Sequence, residues 1–282
     1  MTATADYSCG RQLRLSAGPA RGAIPSAVVK VGSSPPAERR EALTDVLRRA
    51  RGCVRCAELA ATRQTVVFGA GNADADLMFV GEAPGAREDE SGLPFVGRAG
   101  KLLEQLLGEI GLQRADVFIA NVLKCRPPGN RDPLPTEIAN CSAYLMAQVE
   151  LIAPLVICTL GNFATKLLRA DTAGITRVHG QAEVRQIGPR AVRLYPIYHP
   201  AAALYTPRML EILREDFAGL PALLAQPAPE QPPEVAAPEA SKSRAPDRNE
   251  PASGRPRSDL PGTPDAESEP GAATEPGQMG LF

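Results

Sequence analysis

Four short apolar runs punctuate the middle of the chain: LMFVG at 77–81, VFIAN at 117–121, LVICTL at 155–160 and LYPIY at 194–198. Each reads as a strand buried on both faces. Apolar positions at helical spacing fill the intervals at 98–110, 135–152 and 162–169, and the same pattern returns at 207–219. An earlier segment, PAERREALTDVLRRA, carries Leu43, Val46 and Leu47 at that spacing, with Pro36 where a first helical turn tolerates it. Strands alternating with helices predict an α/β fold: a three-layer α/β/α sandwich around a central four-stranded parallel sheet. Sites in such sheets lie beyond the carboxyl ends of the strands. The acidic turn after residue 81, Asn121 and His199 all fall at such ends, which points to one shared pocket.

The flanks have a different composition. Residues 1–36 are rich in Gly, Ala, Ser and Pro without a sustained period, and read as a loosely ordered N-terminal arm. The folded domain is expected over 37–222, followed by a Pro-rich acidic tail over 223–282. After residue 225 that tail holds 12 of the 28 prolines and a single aromatic, Phe282, too little apolar surface to offset chain entropy, so disorder is expected there. A net charge of −1 hides an asymmetry. Residues 226–282 carry 10 acidic against 5 basic side chains, leaving 26 basic against 22 acidic before them, a balance that permits nucleic-acid binding. No apolar run approaches the roughly eighteen residues of a membrane span, and the N-terminus lacks a signal core. A cytoplasmic protein, in a bacterial cytosol or nucleoid, with no membrane partner is the expectation.

In a reducing compartment six cysteines suggest metal or redox chemistry rather than a disulfide framework. Cys53 and Cys56 form a CxxC pair, and Cys125 and Cys141 follow far along the chain. Cys158 sits inside an apolar run and reads as core, and Cys9 lies in the arm. Four thiols remain, the number that a zinc site or a [4Fe-4S] cluster requires. Zinc sites more often use a second tight knuckle, so the wide spacing of Cys125 and Cys141 leans toward iron and sulfur without settling the choice.

The stretch GEAPGAREDESGLPFVGRAG, residues 81–100, crowds Glu82, Glu88, Asp89 and Glu90 at a strand end. Taken with NVLKCRPPGNRDP, HPAAALY and the four cysteines, it resembles a family 4 uracil-DNA glycosylase, the type with a [4Fe-4S] cluster. The resemblance covers roughly residues 40–220. It implies the uracil-DNA glycosylase fold, hydrolysis of the N-glycosidic bond of deoxyuridine in single- and double-stranded DNA, and a cluster held by Cys53, Cys56, Cys125 and Cys141.

It also implies roles for single residues. Gly81, Glu82 and Ala83 line the uracil pocket, with Gly85 letting the backbone approach closely, and Phe95 stacks on the flipped base. His199 faces uracil O2, where a donor stabilises the departing anion. The Asn121 amide can donate to O4 and accept from N3–H, which fits uracil and mismatches cytosine. Glu82 is the first choice for activating water and opposing oxocarbenium charge; Glu88 is the second and would crowd a thymine methyl. Asp89 and Glu90 are expected to be solvated, and His179 to be a surface loop residue. Arg126 and Arg131 are expected phosphate contacts. Where the family has a bulky residue four positions after the histidine this chain has Ala203, followed by Leu204 and Tyr205, both expected at the DNA.

The chain ends QMGLF, and Gln278, Met279, Leu281 and Phe282 resemble the pentapeptide with which bacterial repair proteins dock on the sliding clamp. Expected partners are therefore uracil-containing DNA and that clamp, with the protein itself a monomer. Two other readings compete. A uracil-DNA binder that traps DNA covalently would carry a basic, histidine-bearing insert, which is not visible between Gly100 and Asn121. An iron-sulfur electron carrier would leave Asn121 and His199 without a task.

Overall fold

The computed structural model describes residues 35–233. Six strands, β1 (Ala70–Gly71), β2 (Leu77–Gly81), β3 (Phe118–Asn121), β4 (Val156–Leu160), β5 (Glu183–Ile187) and β6 (Arg190–Ile197), form one sheet in the order β1-β3-β2-β4-β6-β5. The four apolar runs supply the central parallel strands β3, β2, β4 and β6. The expected four-stranded sheet is corrected at its rims, where β1 and β5 add antiparallel edges. Neither had the signature of a doubly buried strand. β1 is two residues long, and β5 exposes alternate side chains, with Val184 60% exposed.

The described helices are α1 (Pro36–Arg51), α2 (Ala57–Thr62), α3 (Ala86–Ser91), α4 (Arg98–Glu109), α5 (Pro135–Ile152), α6 (Asn162–Arg169), α7 (Ile175–Val178), α8 (Pro207–Ala218) and α9 (Leu220–Leu224). Successive side chains of a strand point to opposite faces, and β2 divides accordingly. Met78 and Val80 pack under α1, α5 and α6 through Leu43, Leu145, Val149 and Ala164. Leu77 and Phe79 pack under α4, α8 and α9 through Leu103, Leu107, Leu213, Phe217 and Leu220, and Cys158 is buried in this second layer as expected. The result is the three-layer sandwich. Among the described residues no helix is long and apolar enough to cross a membrane.

Register aligns the strand ends. Gly81 pairs with Asn121, and Leu160 with Ile197, so the turn after β2, the end of β3 and the residues after β6 open on one edge of the sheet. The layer beneath that edge depends on the Phe79–Phe217 stack, with ring centres 5.9 Å apart. Phe217→Ala should lower unfolding stability by about 3–5 kcal/mol, the usual range for a buried phenylalanine, as read from urea titration.

Candidate active site

Asn121 ends β3 and is 2% exposed, and its Oδ1 is buried without a hydrogen-bond partner. The neighbouring strand makes room for it. A β-carbon on Gly81 would lie 2.4 Å from Asn121 Oδ1 and 2.9 Å from Phe95 Cζ, so only glycine leaves both side chains in place. Phe95 adopts a left-handed backbone, φ 53°, uncommon for a bulky residue. Two neighbours hold it there: Arg114 Nη1 donates to the Phe95 carbonyl at 3.1 Å, and Gly100 approaches so closely that a β-carbon would fall 1.7 Å from that oxygen.

The Phe95 ring stacks on His199, with centres 5.5 Å apart and planes 29° apart. His199 caps the 3-10 turn Pro200–Leu204, its Nδ1 accepting from the Ala201 N–H at 3.1 Å. A backbone N–H can only donate, so the proton of the neutral ring resides on Nε2. Burial lowers the His199 pKa to about 4, against an opposing pull from the Glu88 charge. At neutral pH His199 is therefore a neutral donor.

The acidic turn divides by task. Glu82 faces an open cleft that it shares with Ala83, Glu88, Phe95, Asn121 and His199. Burial first, and then the charge of Asp132, push the Glu82 carboxyl above the ordinary carboxylate range. Glu88 lines the same cleft, but its Oε1 accepts from the N–H groups of Val96 at 3.0 Å and Gly97 at 2.9 Å, fixing the chain as it enters α4. Gly85, which also lines the cleft, makes room for Glu88, since a β-carbon there would lie 2.7 Å from Glu88 Oε2. Asp89 is not solvated. It is 2% exposed and accepts from the N–H groups of Gln64 and Thr65 in the loop after α2. Glu90 is exposed, as expected.

Cys53, Cys56, Cys125 and Cys141 line a single space. Each sulfur accepts from one N–H: Arg55 Nε on Cys53 at 3.4 Å, Asn140 Nδ2 on Cys56 at 3.5 Å, Arg63 Nη1 on Cys125 at 3.2 Å and the Lys124 N–H on Cys141 at 3.3 Å. Burial raises the thiol pKa of Cys125 and of Cys141. Among the described residues no three His, Cys, Asp or Glu side chains close on a point as they would around one metal ion. Four thiols lining one space are a soft donor set of the kind that holds a thiolate-bound metal centre.

A family model for the uracil DNA glycosylase superfamily matches residues 68–218, more than half of the chain. The chain belongs to that superfamily. It is similar to the type-4 uracil-DNA glycosylase of Archaeoglobus fulgidus, 46% identical over 194 residues that cover 67% of this chain and 96% of the relative. It is also similar to the type-4 enzymes of Saccharolobus solfataricus, at 48% identity over 59% of this chain and 79% of the relative, and Thermotoga maritima, at 45% over 59% and 85%. These relatives place it on the type-4 branch.

Within this glycosylase fold the residues expected at the DNA also make contacts of their own. Arg131 is occupied: its two Nη atoms meet both Glu137 carboxylate oxygens at 2.7 and 3.0 Å, and one also meets Glu58 at 2.7 Å, tying α2 to the start of α5. Arg126 is half-buried and donates to Asn130 Oδ1 at 2.8 Å. Leu204 is half-buried, whereas Tyr205 is 78% exposed, with the Arg98 guanidinium 5.0 Å from its ring centre. His179 is not a free loop residue, because Nδ1 pairs with the buried Asp216 at 3.1 Å. Asn130 and Asp132 border the site without having been singled out, although both stand in the GNRDP stretch beside Cys125. The terminal QMGLF lies outside the described residues.

The division of the acidic turn is testable by folding alone. Asp89→Ala removes a buried acceptor from the Gln64 and Thr65 N–H groups and should cost about 1–3 kcal/mol in urea unfolding. Glu90→Ala should unfold with the parent.

Proposed function

We propose that the chain removes uracil from DNA by hydrolysing the N-glycosidic bond of deoxyuridine, leaving an abasic site for base excision repair. The observation that carries this reading is the buried, unpartnered Oδ1 of Asn121 beside a neutral His199. Uracil presents a donor at N3 with acceptors at O2 and O4, and this pair complements it. Cytosine has no proton at N3, so it would leave Oδ1 buried without a donor.

The chemistry follows from the same groups. As the N1–C1′ bond breaks, its electron pair goes to the base and positive charge grows on the deoxyribose. The Nε2–H of His199 stabilises the charge reaching O2, and Phe95 holds the ring in plane. Glu82 takes a proton from the water that attacks C1′, and its raised affinity for a proton makes it a better base than an exposed glutamate. Its negative form also faces the oxocarbenium. Glu88 positions the turn, and Arg126 and Tyr205 meet the DNA.

Cys53, Cys56, Cys125 and Cys141 fit a [4Fe-4S] cluster, which when bound supplies a covalent staple between the helix-bearing N-terminal part and the loop after Asn121. The four N–H donors would offset thiolate charge. The tail would tether the enzyme to a sliding clamp through QMGLF.

Incubating the protein with a uracil-bearing oligonucleotide, followed by alkali and a denaturing gel, should give strand cleavage at uracil. Intact DNA, or DNA retained as a covalent protein adduct, would overturn the reading. His199→Ala should lose about 2–4 kcal/mol of transition-state stabilisation, the scale of an oxyanion donor, with DNA binding kept. Single-turnover rates should climb with pH as Glu82 ionises and should not fall between pH 6 and 8, since His199, with its pKa lowered to about 4, acts as a neutral donor across that range. A fall over that range would mean that an imidazolium is needed. Purified protein should hold about four irons per chain and absorb broadly near 400 nm. Deleting residues 278–282 should abolish clamp binding in calorimetry and leave excision from short oligonucleotides unchanged.

A further inference from the structure

Lys124 lies between the base pocket and the thiol space, and nothing in the proposed chemistry uses it. Its side chain is 1% exposed. Nζ donates to the Asn121 carbonyl at 2.8 Å and to Gln148 Oε1 at 2.6 Å, and stands 5.8 Å from the Phe68 ring centre. Gln148 is itself anchored by Nε2 on the Phe68 carbonyl at 2.9 Å. All of these partners are neutral. Taking an ammonium out of water without an opposite charge is strongly unfavourable, and buried charges are ordinarily paired.

The opposite charge within reach is sulfur. Lys124 lines the same space as the four cysteines, adjoins Cys125 in sequence and donates its backbone N–H to Cys141 Sγ. Arg63 and Arg55 approach Cys125 and Cys53 from the outer side. We propose that Lys124 is the internal counter-cation of the four-cysteine centre, offsetting the negative charge of a thiolate-bound metal from within the core. Its bond to the Asn121 carbonyl then couples the end of the base-reading strand to that charge. The inference rests on the metal reading above, but it holds for any metal bound by four thiolates, because such centres are anionic with zinc as well as with iron and sulfur.

The test compares metal release from holoprotein to a chelator, under anaerobic conditions at one pH, in three variants of the full chain. Lys124→Gln removes the charge. Gln148→Glu keeps the volume and sets a carboxylate against Nζ, so the ammonium is neutralised locally. Gln148→Met removes the same hydrogen bond and leaves the charge. The charge-cancelling variants should release metal several-fold faster than both the parent and Gln148→Met. If the metal is iron, their midpoint potential should also move to more negative values. Should Lys124→Gln fail to fold, the two Gln148 variants decide alone. Equal release from Gln148→Glu and Gln148→Met would overturn the proposal. A parent that contains zinc would defeat the iron-sulfur reading and still leave the release comparison to decide this one.

Discussion

At the carboxyl ends of β2 and β3, Gly81 and Asn121 are register partners, and Asn121 Oδ1 occupies space that a β-carbon on Gly81 would need. The rest of the pocket is arranged around that contact. The Phe95 ring closes over the same missing methyl, from a backbone in the left-handed region. Gly100 and Arg114 hold that conformation, and Glu88 pins the amides of Val96 and Gly97 that follow it. His199 completes the stack from the far strand, above a Gly161 that also leaves it room. A polar atom buried without a partner is costly in a resting protein. In the proposed reading it is the means by which a base with a donor at N3 is preferred.

One loop joins this pocket to the thiol space. Leaving Asn121, the chain passes Lys124 and Cys125 within four residues and then reaches Arg131, whose carboxylate partners sit on α2 and α5. Those helices flank Cys56 and carry Cys141. This loop is thus braced by an ion-pair network and, in the proposed reading, faces DNA and is held by a metal centre as well. A loop of this kind would otherwise be among the more mobile parts of the fold.

The parallel strands and their covering helices are legible in the sequence because burial on both faces writes itself as an unbroken apolar run. β5 and the two-residue β1 are not, since an edge strand needs neither length nor an apolar face. Asn121 and His199 stand out as polar residues at strand ends. The tasks of the acidic turn do not, because a carboxylate that accepts from backbone N–H groups across the fold, as Asp89 does from Gln64, looks in sequence like one that is solvated. The ion pairs of Arg131 are hidden for the same reason: its partners Glu58 and Glu137 come from helices far apart in the chain, and only packing brings them to its guanidinium.

The most direct test of the central claim changes the substrate instead of the protein. Single-turnover excision is measured on two oligonucleotides that differ only in a methyl group on N3 of the target uracil. If Asn121 Oδ1 awaits the N3 proton, the methylated base should be excised slower by about 1–3 kcal/mol in barrier, roughly five- to 150-fold, and Asn121→Ala should shrink that gap. Equal rates on the two substrates with the parent protein would contradict the account.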